Sequence, residues 1–233
     1  MLLTGAAGRV ARLVAPLLRN EFRLRRLDFR SQQAEADDEV VEADIRDIDA
    51  LQQACVGVTA VVHLAAQPSE ADFRSTLLPR NLDGAWAAFE AAAGAGVPRL
   101  IFASTIQTVD GNPLESFVRP DAPPRPITVY ACTKLFGEAL GRLYADTSVL
   151  GVACLRLGGV TTADDPRLAR DERFRSVWCG PVDLARLITA AIRSDLPFAT
   201  VIAVSTPGMS RFDTSNPFGW VPAERPVCPS SEA

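Results

Sequence analysis

The sequence predicts an α/β fold in which a mainly parallel, doubly wound sheet carries helices on both faces. Two observations support this class. Short apolar segments alternate along the 233 residues with helical segments of about 10–20 residues, as parallel sheets require. A glycine-rich turn, Gly5-Ala-Ala-Gly8, stands between the first apolar segment and the first helical one. We therefore expect one domain over residues 1–233, with a sheet-forming core in 1–157 and a small substrate-binding part and tail in 158–233.

The individual elements follow from periodicity and from glycine and proline positions. Strands are predicted over residues 1–4, 22–28, 39–43, 59–65, 99–104, 149–157 and 200–204. Helices are predicted over residues 9–19, 47–55, 76–94, 128–145 and 182–194. Pro16 is expected to end or kink the first helix early, because proline removes a helical hydrogen bond. Pro181 is expected to open the last helix at its first turn.

The composition argues against several classes of protein. The formal net charge is −4 and basic residues form no run, which argues against nucleic acid or an anionic membrane as a partner. No apolar stretch reaches the roughly 18 residues of a membrane span and no signal peptide is apparent, so a cytoplasmic location is expected. The five scattered cysteines and single histidine show no metal-ligand spacing, so we expect no metal and reduced thiols.

The basic residues are unusual in kind, since Lys134 is the one lysine among 24 lysines and arginines. The histidine is His63 and the tyrosines are Tyr130 and Tyr144. His63 falls on a strand of buried type and is expected to be packed rather than catalytic. Any chemistry that needs a lysine must use Lys134.

The pattern Gly5-x-x-Gly8-x-x-Ala11, between a strand and a helix, is typical of a dinucleotide-binding turn. Small residues permit the tight turn, and the N–H groups at the helix N-terminus face a pyrophosphate. Asp28 ends the second strand, where a carboxylate binds ribose hydroxyls and repels a 2′-phosphate. These features predict a Rossmann-type core that prefers NAD, although nearby arginines could hold the phosphate of NADP. A turn that serves packing alone is the alternative.

The expected cofactor contacts lie in this turn and after the second, third and fourth strands. Asp44 and Ile45 would lie at the adenine edge, and the small residues after the fourth strand let the backbone pass close to the cofactor. The full set is Gly5, Ala7, Gly8, Arg9, Val10, Asp28, Asp44, Ile45, Leu64, Ala65 and Ala66, with Tyr130 and Lys134 at the nicotinamide end.

Tyr130 and Lys134 lie four residues apart and hence on one face of a helix. A free tyrosine has a pKa near ~10, and a nearby cation stabilises its phenolate. Such a tyrosine can take the proton of a substrate hydroxyl while hydride leaves the same carbon. Thr105, at the end of the fifth strand, could hydrogen-bond the same oxygen. The three residues predict NAD-dependent oxidation of an alcohol.

The segments TGAAG, VVHLAA, RNLDG, FAST and YACTK, in this order and spacing, resemble the extended short-chain dehydrogenase/reductases, the NAD-dependent epimerase/dehydratase family. The resemblance covers roughly residues 1–195. GAAGRV, PDAPPRP, YACTKLFGE, LRLGG and NPFGW are most similar to bacterial uronate dehydrogenases, which oxidise the anomeric carbon of galacturonate or glucuronate.

The resemblance implies roles for individual residues. Tyr130 would be the base, Lys134 its electrostatic partner, Thr105 a hydroxyl donor and Asn81 a support of the active-site backbone. Arg173 would bind the sugar carboxylate, a solvated arginine being the alternative. The remaining positions expected to contact substrate are Ser69 (or Pro68), Ile106, Gln107 and Gly159. Ile106 and Gln107 stand where uronate dehydrogenases carry Asn-His, and Gly159 stands where they carry serine, which puts the substrate in doubt more than the chemistry.

Three functions remain open. The first is an NAD-dependent dehydrogenase of a sugar acid or related polyol. The second is a sugar or nucleotide-sugar epimerase, although such enzymes usually have a larger substrate-binding part than the residues after Leu157 can form. The third is a non-catalytic dinucleotide sensor, against which the Tyr130–Lys134 pair argues. The family also implies a homodimer through the apolar helices at 85–95 and 131–145, with core packing as the alternative explanation of their composition.

Overall fold

The computed structural model describes residues 1–205 and 210–227 and confirms a doubly wound parallel sheet. Seven strands lie in the order β3-β2-β1-β4-β5-β6-β9, and each neighbouring pair is parallel. Their bounds are β1 Leu2–Thr4, β2 Arg25–Asp28, β3 Glu39–Glu42, β4 Val61–His63, β5 Arg99–Thr105, β6 Gly151–Leu157 and β9 Phe198–Ala203. A second, two-stranded sheet consists of β7 Gly159–Val160 and β8 Trp178–Cys179. The winding reverses between β1 and β4, where such sheets bind ligands.

Helices cover both faces of the sheet. Their bounds are α1 Arg9–Leu18, α2 Ile48–Cys55, α3 Gly84–Gly94, α4 Val129–Thr147, α5 Arg167–Arg170, α6 Glu172–Ser176 and α7 Pro181–Arg193. Alternate strand residues face opposite sides: Leu3 packs with α1 and α7, whereas Leu2 packs with α2 and α3. Among the described residues, no helix is both long and apolar enough to cross a membrane.

Helix α1 shows that the expectation of an early end at Pro16 was wrong. The helix continues to Leu18, and the Arg19 N–H then bonds the Ala15 carbonyl at 3.0 Å. Proline removes a single N–H donor, while Val14, Ala15 and Leu18 are buried against the sheet. Packing of this apolar face therefore outweighs the lost hydrogen bond. Pro181, by contrast, begins α7 at its first turn, as predicted.

The helix predicted over 76–94 is two helices. A π-helix spans Phe73–Asp83 and leads into α3. Its wide turns carry i→i+5 bonds such as that from the Leu77 N–H to the Asp72 carbonyl at 3.1 Å. Pro79 lies within it and supplies no N–H, so the wider turn accommodates a residue that an α-helix would not.

Several strands are shorter than predicted. β2 begins at Arg25 rather than at residue 22, and β4 spans Val61–His63 rather than 59–65. Each pairs with β1 over three residues, because β1 spans only Leu2–Thr4. β9, from the C-terminal part, extends the sheet beyond β6. The functional division at residue 157 stays a prediction.

Candidate active site

The glycine turn packs closely against the backbone that follows β4. Gly5 has a φ of 68°, and a Cβ added there would lie 2.6 Å from the Ala65 nitrogen. Gly8 is the N-cap of α1 and no described side chain caps this helix, so its first-turn N–H groups are free to bind a phosphate. The turn thus has the geometry that a pyrophosphate requires.

A cavity of about 260 Å³, here called the ribose cavity, opens beside this turn and includes Asp28 among its lining residues. The Asp28 carboxylate accepts hydrogen bonds from the Ala7 N–H at 3.0 Å and from the Arg30 guanidinium at 3.0 and 3.2 Å. Burial acts to raise the pKa of Asp28, but the Arg30 and backbone hydrogen bonds outweigh it and the pKa is lowered. Asp28 is therefore an ionised acceptor where ribose hydroxyls are expected.

Asp44 and Ile45, which the sequence predicts at the adenine edge, line one side of the ribose cavity. Arg46 donates to the Asp44 carboxylate at 2.9 and 2.7 Å, and these side-chain bonds lower the pKa of Asp44 to about 2. Leu64, Ala65 and Ala66 complete this side. The turn, the acidic acceptor and this apolar edge together fit NAD.

A second cavity of about 490 Å³, here called the substrate cavity, lies at the ends of β5 and β6. Leu64 and Ala66 line both cavities, so the two form one continuous cleft along the carboxyl edge of the sheet. Predicted residues that line the substrate cavity are Arg9, Val10, Thr105, Ile106, Gln107, Tyr130, Lys134, Gly159 and Arg173.

Burial shifts the pKa values of Tyr130 and Lys134, which both line this cavity, in opposite directions. Burial raises the pKa of Tyr130 to about 12, and a hydrogen bond with Thr105 partly offsets it. Burial lowers the pKa of Lys134 to about 8. The Lys134 ammonium lies 5.0 Å from the centre of the Phe102 ring and 5.9 Å from that of Tyr130. A protonated Lys134 at this distance favours the phenolate of Tyr130.

The N-terminus of α4, which carries Tyr130, is fixed by two side chains. Thr128 is its N-cap and accepts a hydrogen bond from the Ala131 N–H at 3.0 Å. Glu70 accepts one from the Tyr130 N–H at 2.8 Å. Glu70 was missed in the sequence, because nothing in the sequence links it to a helix that begins some sixty positions later.

Asn81 supports the backbone around the cleft. Its side-chain oxygen accepts from the Gln67 N–H at 2.8 Å, and its amide donates to the Gln67 carbonyl at 3.1 Å and to Thr133 at 3.0 Å. Asn81 therefore ties the loop after β4 to α4. This placement agrees with a supporting role rather than with contact to a substrate.

A buried ion pair lies between α4 and the sheet, and the sequence analysis did not predict it. Arg156 of β6 donates to Glu138 of α4 at 2.9 and 2.8 Å, and the Ser104 hydroxyl donates to Glu138 at 2.5 Å. Arg156 also donates to the Pro120 carbonyl at 3.0 Å. The cluster connects α4, β5, β6 and the loop that contains Pro120, and no local sequence pattern indicates that these residues meet.

Pro68 rather than Ser69 lines the substrate cavity. Ser69 is exposed, and its hydroxyl is engaged by the Gln67 side chain, which donates a hydrogen bond to it at 3.3 Å. Ile106 contributes to an apolar wall, and a Cβ added to Gly159 would lie 2.5 Å from the Phe174 ring. Gly159 therefore leaves room for an aromatic wall.

His63 is packed, as predicted. It is 1% exposed, its Nδ1 lies 3.0 Å from the Thr4 hydroxyl and its ring stacks on Phe102. Burial, with a contribution from Lys134, lowers the pKa of His63 to about 3, so the ring is neutral at physiological pH. A neutral, enclosed imidazole has no access to a substrate.

The cysteines show no pairing within the part of the chain that the structure describes. Cys55, Cys154 and Cys179 are buried, and burial raises the pKa of each thiol. Cys132 is free and exposed, and Cys228 lies outside the described residues. The buried thiols are therefore unreactive packing groups.

Comparison with known proteins agrees with this geometry. The model of the NAD dependent epimerase/dehydratase family matches residues 1–177. An L-arabinose 1-dehydrogenase (NAD(P)(+)) from Haloferax volcanii is 35% identical over 212 residues, which cover 83% of this chain and 82% of that protein. A uronate dehydrogenase from Agrobacterium fabrum is 31% identical over 229 residues, covering 96% of this chain and 84% of the relative.

The fold agrees with solved structures as well. A mutant uronate dehydrogenase from Agrobacterium tumefaciens, complexed with NAD, matches with a TM-score of 0.86 at 30% identity, covering 96% of this chain and 84% of that one. The cleft described above and the family match over three quarters of the sequence lead to one conclusion. The chain belongs to the NAD dependent epimerase/dehydratase family.

Proposed function

We propose that the protein is an NAD-dependent oxidoreductase that oxidises a hydroxyl of a sugar acid or closely related sugar. The observation that carries the proposal is the placement of Thr105, Tyr130 and Lys134 at one end of a cleft whose other end has Asp28. Relatives that oxidise arabinose and uronates support it.

The mechanism follows from the side chains of the substrate cavity. The Thr105 hydroxyl and the Tyr130 phenolate oxygen hydrogen-bond the substrate hydroxyl, and the phenolate takes its proton. Lys134 stabilises that phenolate by its charge and has room to bind ribose hydroxyls. Bound NAD supplies the hydride acceptor. The substrate carbon would thus lose a hydride and its hydroxyl oxygen a proton, which leaves a carbonyl.

The walls of the substrate cavity bear on the identity of the sugar. Ile106, Ile127, Phe174 and Val177 form one side, and Gln107, Asp110 and Arg173 supply the polar groups. An apolar side suits the less hydroxylated face of a sugar ring. Arg173 supports a substrate that carries a carboxylate, because its planar guanidinium pairs such groups bidentately.

The test is NADH formation, followed at 340 nm, by the purified protein with galacturonate, glucuronate and neutral aldoses. We expect activity with one or more of them, and Tyr130→Phe should lower kcat by about 10³-fold while leaving NAD binding in place. An epimerase would interconvert sugars without net NADH, and a sensor would keep its properties in Tyr130→Phe. Either outcome would exclude the proposed reaction.

We also infer a cytosolic homodimer. The reduced, buried thiols support the compartment. Leu78 and Trp86 expose apolar surface, each 42% exposed, on a shallow face that Phe136 of α4 also lines. A second copy covering this face would bury it, and light scattering from the purified protein tests the expected dimeric mass.

A further inference from the structure

Asp110 lines the substrate cavity and already pairs with Arg173, the arginine expected to bind a sugar carboxylate. One Asp110 oxygen accepts a hydrogen bond from Arg173 at 3.1 Å. The other accepts one from Arg211 at 3.0 Å. The Asp110 side chain is 13% exposed, whereas that of Arg173 is 74% exposed at the rim. The carboxylate is thus inside the cavity wall and the guanidinium at its mouth.

Asp110 is held firmly in place by its second partner. Arg211 donates not only to the Asp110 carboxylate but also to the backbone carbonyls of Asp110 at 2.8 Å, Asn112 at 3.1 Å and Pro113 at 2.9 Å. The segment that carries Arg211 pairs with Val118. Asp110 therefore keeps its position independently of Arg173.

This arrangement changes what the cavity offers to a substrate carboxylate. Arg173 is already engaged by Asp110, and a substrate carboxylate on the same guanidinium would lie close to a second carboxylate. Like charges at such a distance repel. A neutral sugar meets no such penalty.

We propose that Asp110 is a specificity residue that weakens the preference of this site for sugar acids and favours neutral sugars, by pairing with Arg173. The inference rests on the proposed function and concerns which sugars the same site takes. The Asp110 carboxylate would thus decide between sugar acids and neutral sugars, which differ by one negative charge.

The test is a double-mutant cycle on Asp110 and Arg173. Asp110→Asn keeps the shape and an oxygen acceptor for Arg211 but removes the charge. We expect the ratio of kcat/KM for galacturonate to that for L-arabinose to rise about tenfold. Adding Arg173→Gln should abolish the rise, whereas Arg173→Gln in the wild type should change the ratio less than threefold. Asp121→Asn, which removes an exposed carboxylate paired with Arg119, is the matched control and should leave the ratio unchanged.

A binding measurement separates this inference from the proposed reaction. In the NAD-loaded Tyr130→Phe background, calorimetry should show galacturonate binding about tenfold more tightly when Asp110→Asn is added. Unchanged or weaker binding would overturn the role of Asp110, as would a large loss of galacturonate binding in Arg173→Gln alone. Turnover with an unaltered substrate ratio contradicts only the role of Asp110. Sugar binding without NADH formation in the wild type contradicts only the reaction, and no binding of either sugar contradicts both.

Discussion

At the scale of single residues, the site depends on burial acting on a tyrosine and a lysine in opposite directions. Burial disfavours the charged form of each group, so it raises the pKa of Tyr130 and lowers that of Lys134. A protonated Lys134 makes the phenolate of Tyr130 easier to form than it is in an isolated buried tyrosine. The rate of NADH formation should therefore rise with pH up to about 8, because the phenolate of Tyr130 increases while Lys134 stays protonated.

Lys134→Arg is the sharpest residue-scale prediction. Lys134 is 4% exposed and its ammonium lies over the Phe102 and Tyr130 rings, where a planar guanidinium cannot place the same point charge. We expect kcat to fall by about 10²-fold or more with the melting temperature little changed. Steady-state kinetics and thermal unfolding measure both. Wild-type kcat in this variant would show that any cation at this position suffices and that the point charge of lysine is not required.

At the scale of elements, α4, the helix that carries Tyr130, lies close to the sheet because Gly137 faces the sheet. A Cβ added to Gly137 of α4 would lie 2.0 Å from the tip of the Phe102 ring, the ring over which the Lys134 ammonium lies. The same ring stacks on His63. The contact between Gly137 of α4 and Phe102 of β5 thus sets the distance of the helix from the sheet. It also positions the Lys134 ammonium.

Gly137→Ala should therefore lower the free energy of unfolding by about 1–3 kcal/mol and reduce activity, since the helix or the ring must move. Urea unfolding and kinetics provide the measurements. The matched control is Gly94→Ala in α3, where the nearest atom to an added Cβ is a flexible glutamine end at 3.6 Å. The control should be neutral or stabilising, because alanine favours helix. Equal effects of the two substitutions would show that the close approach is unimportant.

At the scale of the whole molecule, the C-terminal segment is fastened to the start of α7. The buried Asp183 accepts hydrogen bonds from the Ala223 N–H at 2.9 and 3.0 Å and from the Glu224 N–H at 2.9 Å. Glu224 in turn accepts from the Asp183 N–H at 2.7 Å, and Trp220 donates to the Asp183 carbonyl at 2.9 Å. The NPFGW segment that resembles uronate dehydrogenases thus serves this attachment through Trp220.

Asp183→Asn should destabilise the fold by about 2–3 kcal/mol, because an amide turns a donor toward N–H groups that need an acceptor. Urea unfolding measures the loss, and limited proteolysis should show earlier cleavage after residue 210. Asp146→Asn, which removes an exposed carboxylate paired with Arg142, should change stability by less than about 0.5 kcal/mol. A loss no larger than in this control would contradict the role of Asp183.

The sequence by itself determined the fold and the chemistry. Strand and helix periodicities, the glycine turn and the Tyr130–Lys134 spacing are local patterns, and each one constrains its own segment. Local spacing also located Asp28 and Thr105, because each ends a strand and parallel strands end at one edge of a sheet.

The tertiary structure alone decided how the substrate cavity is closed and charged. Glu70 at the start of α4, Glu138 against Arg156, and Asp110 against Arg173 and Arg211 join segments far apart in the chain. It also placed Pro68 rather than Ser69 in the cavity and turned half of a predicted helix into a π-helix. Hydrogen bonds and ion pairs depend on distances between side chains in three dimensions, and sequence spacing fixes those distances only within a helix or strand.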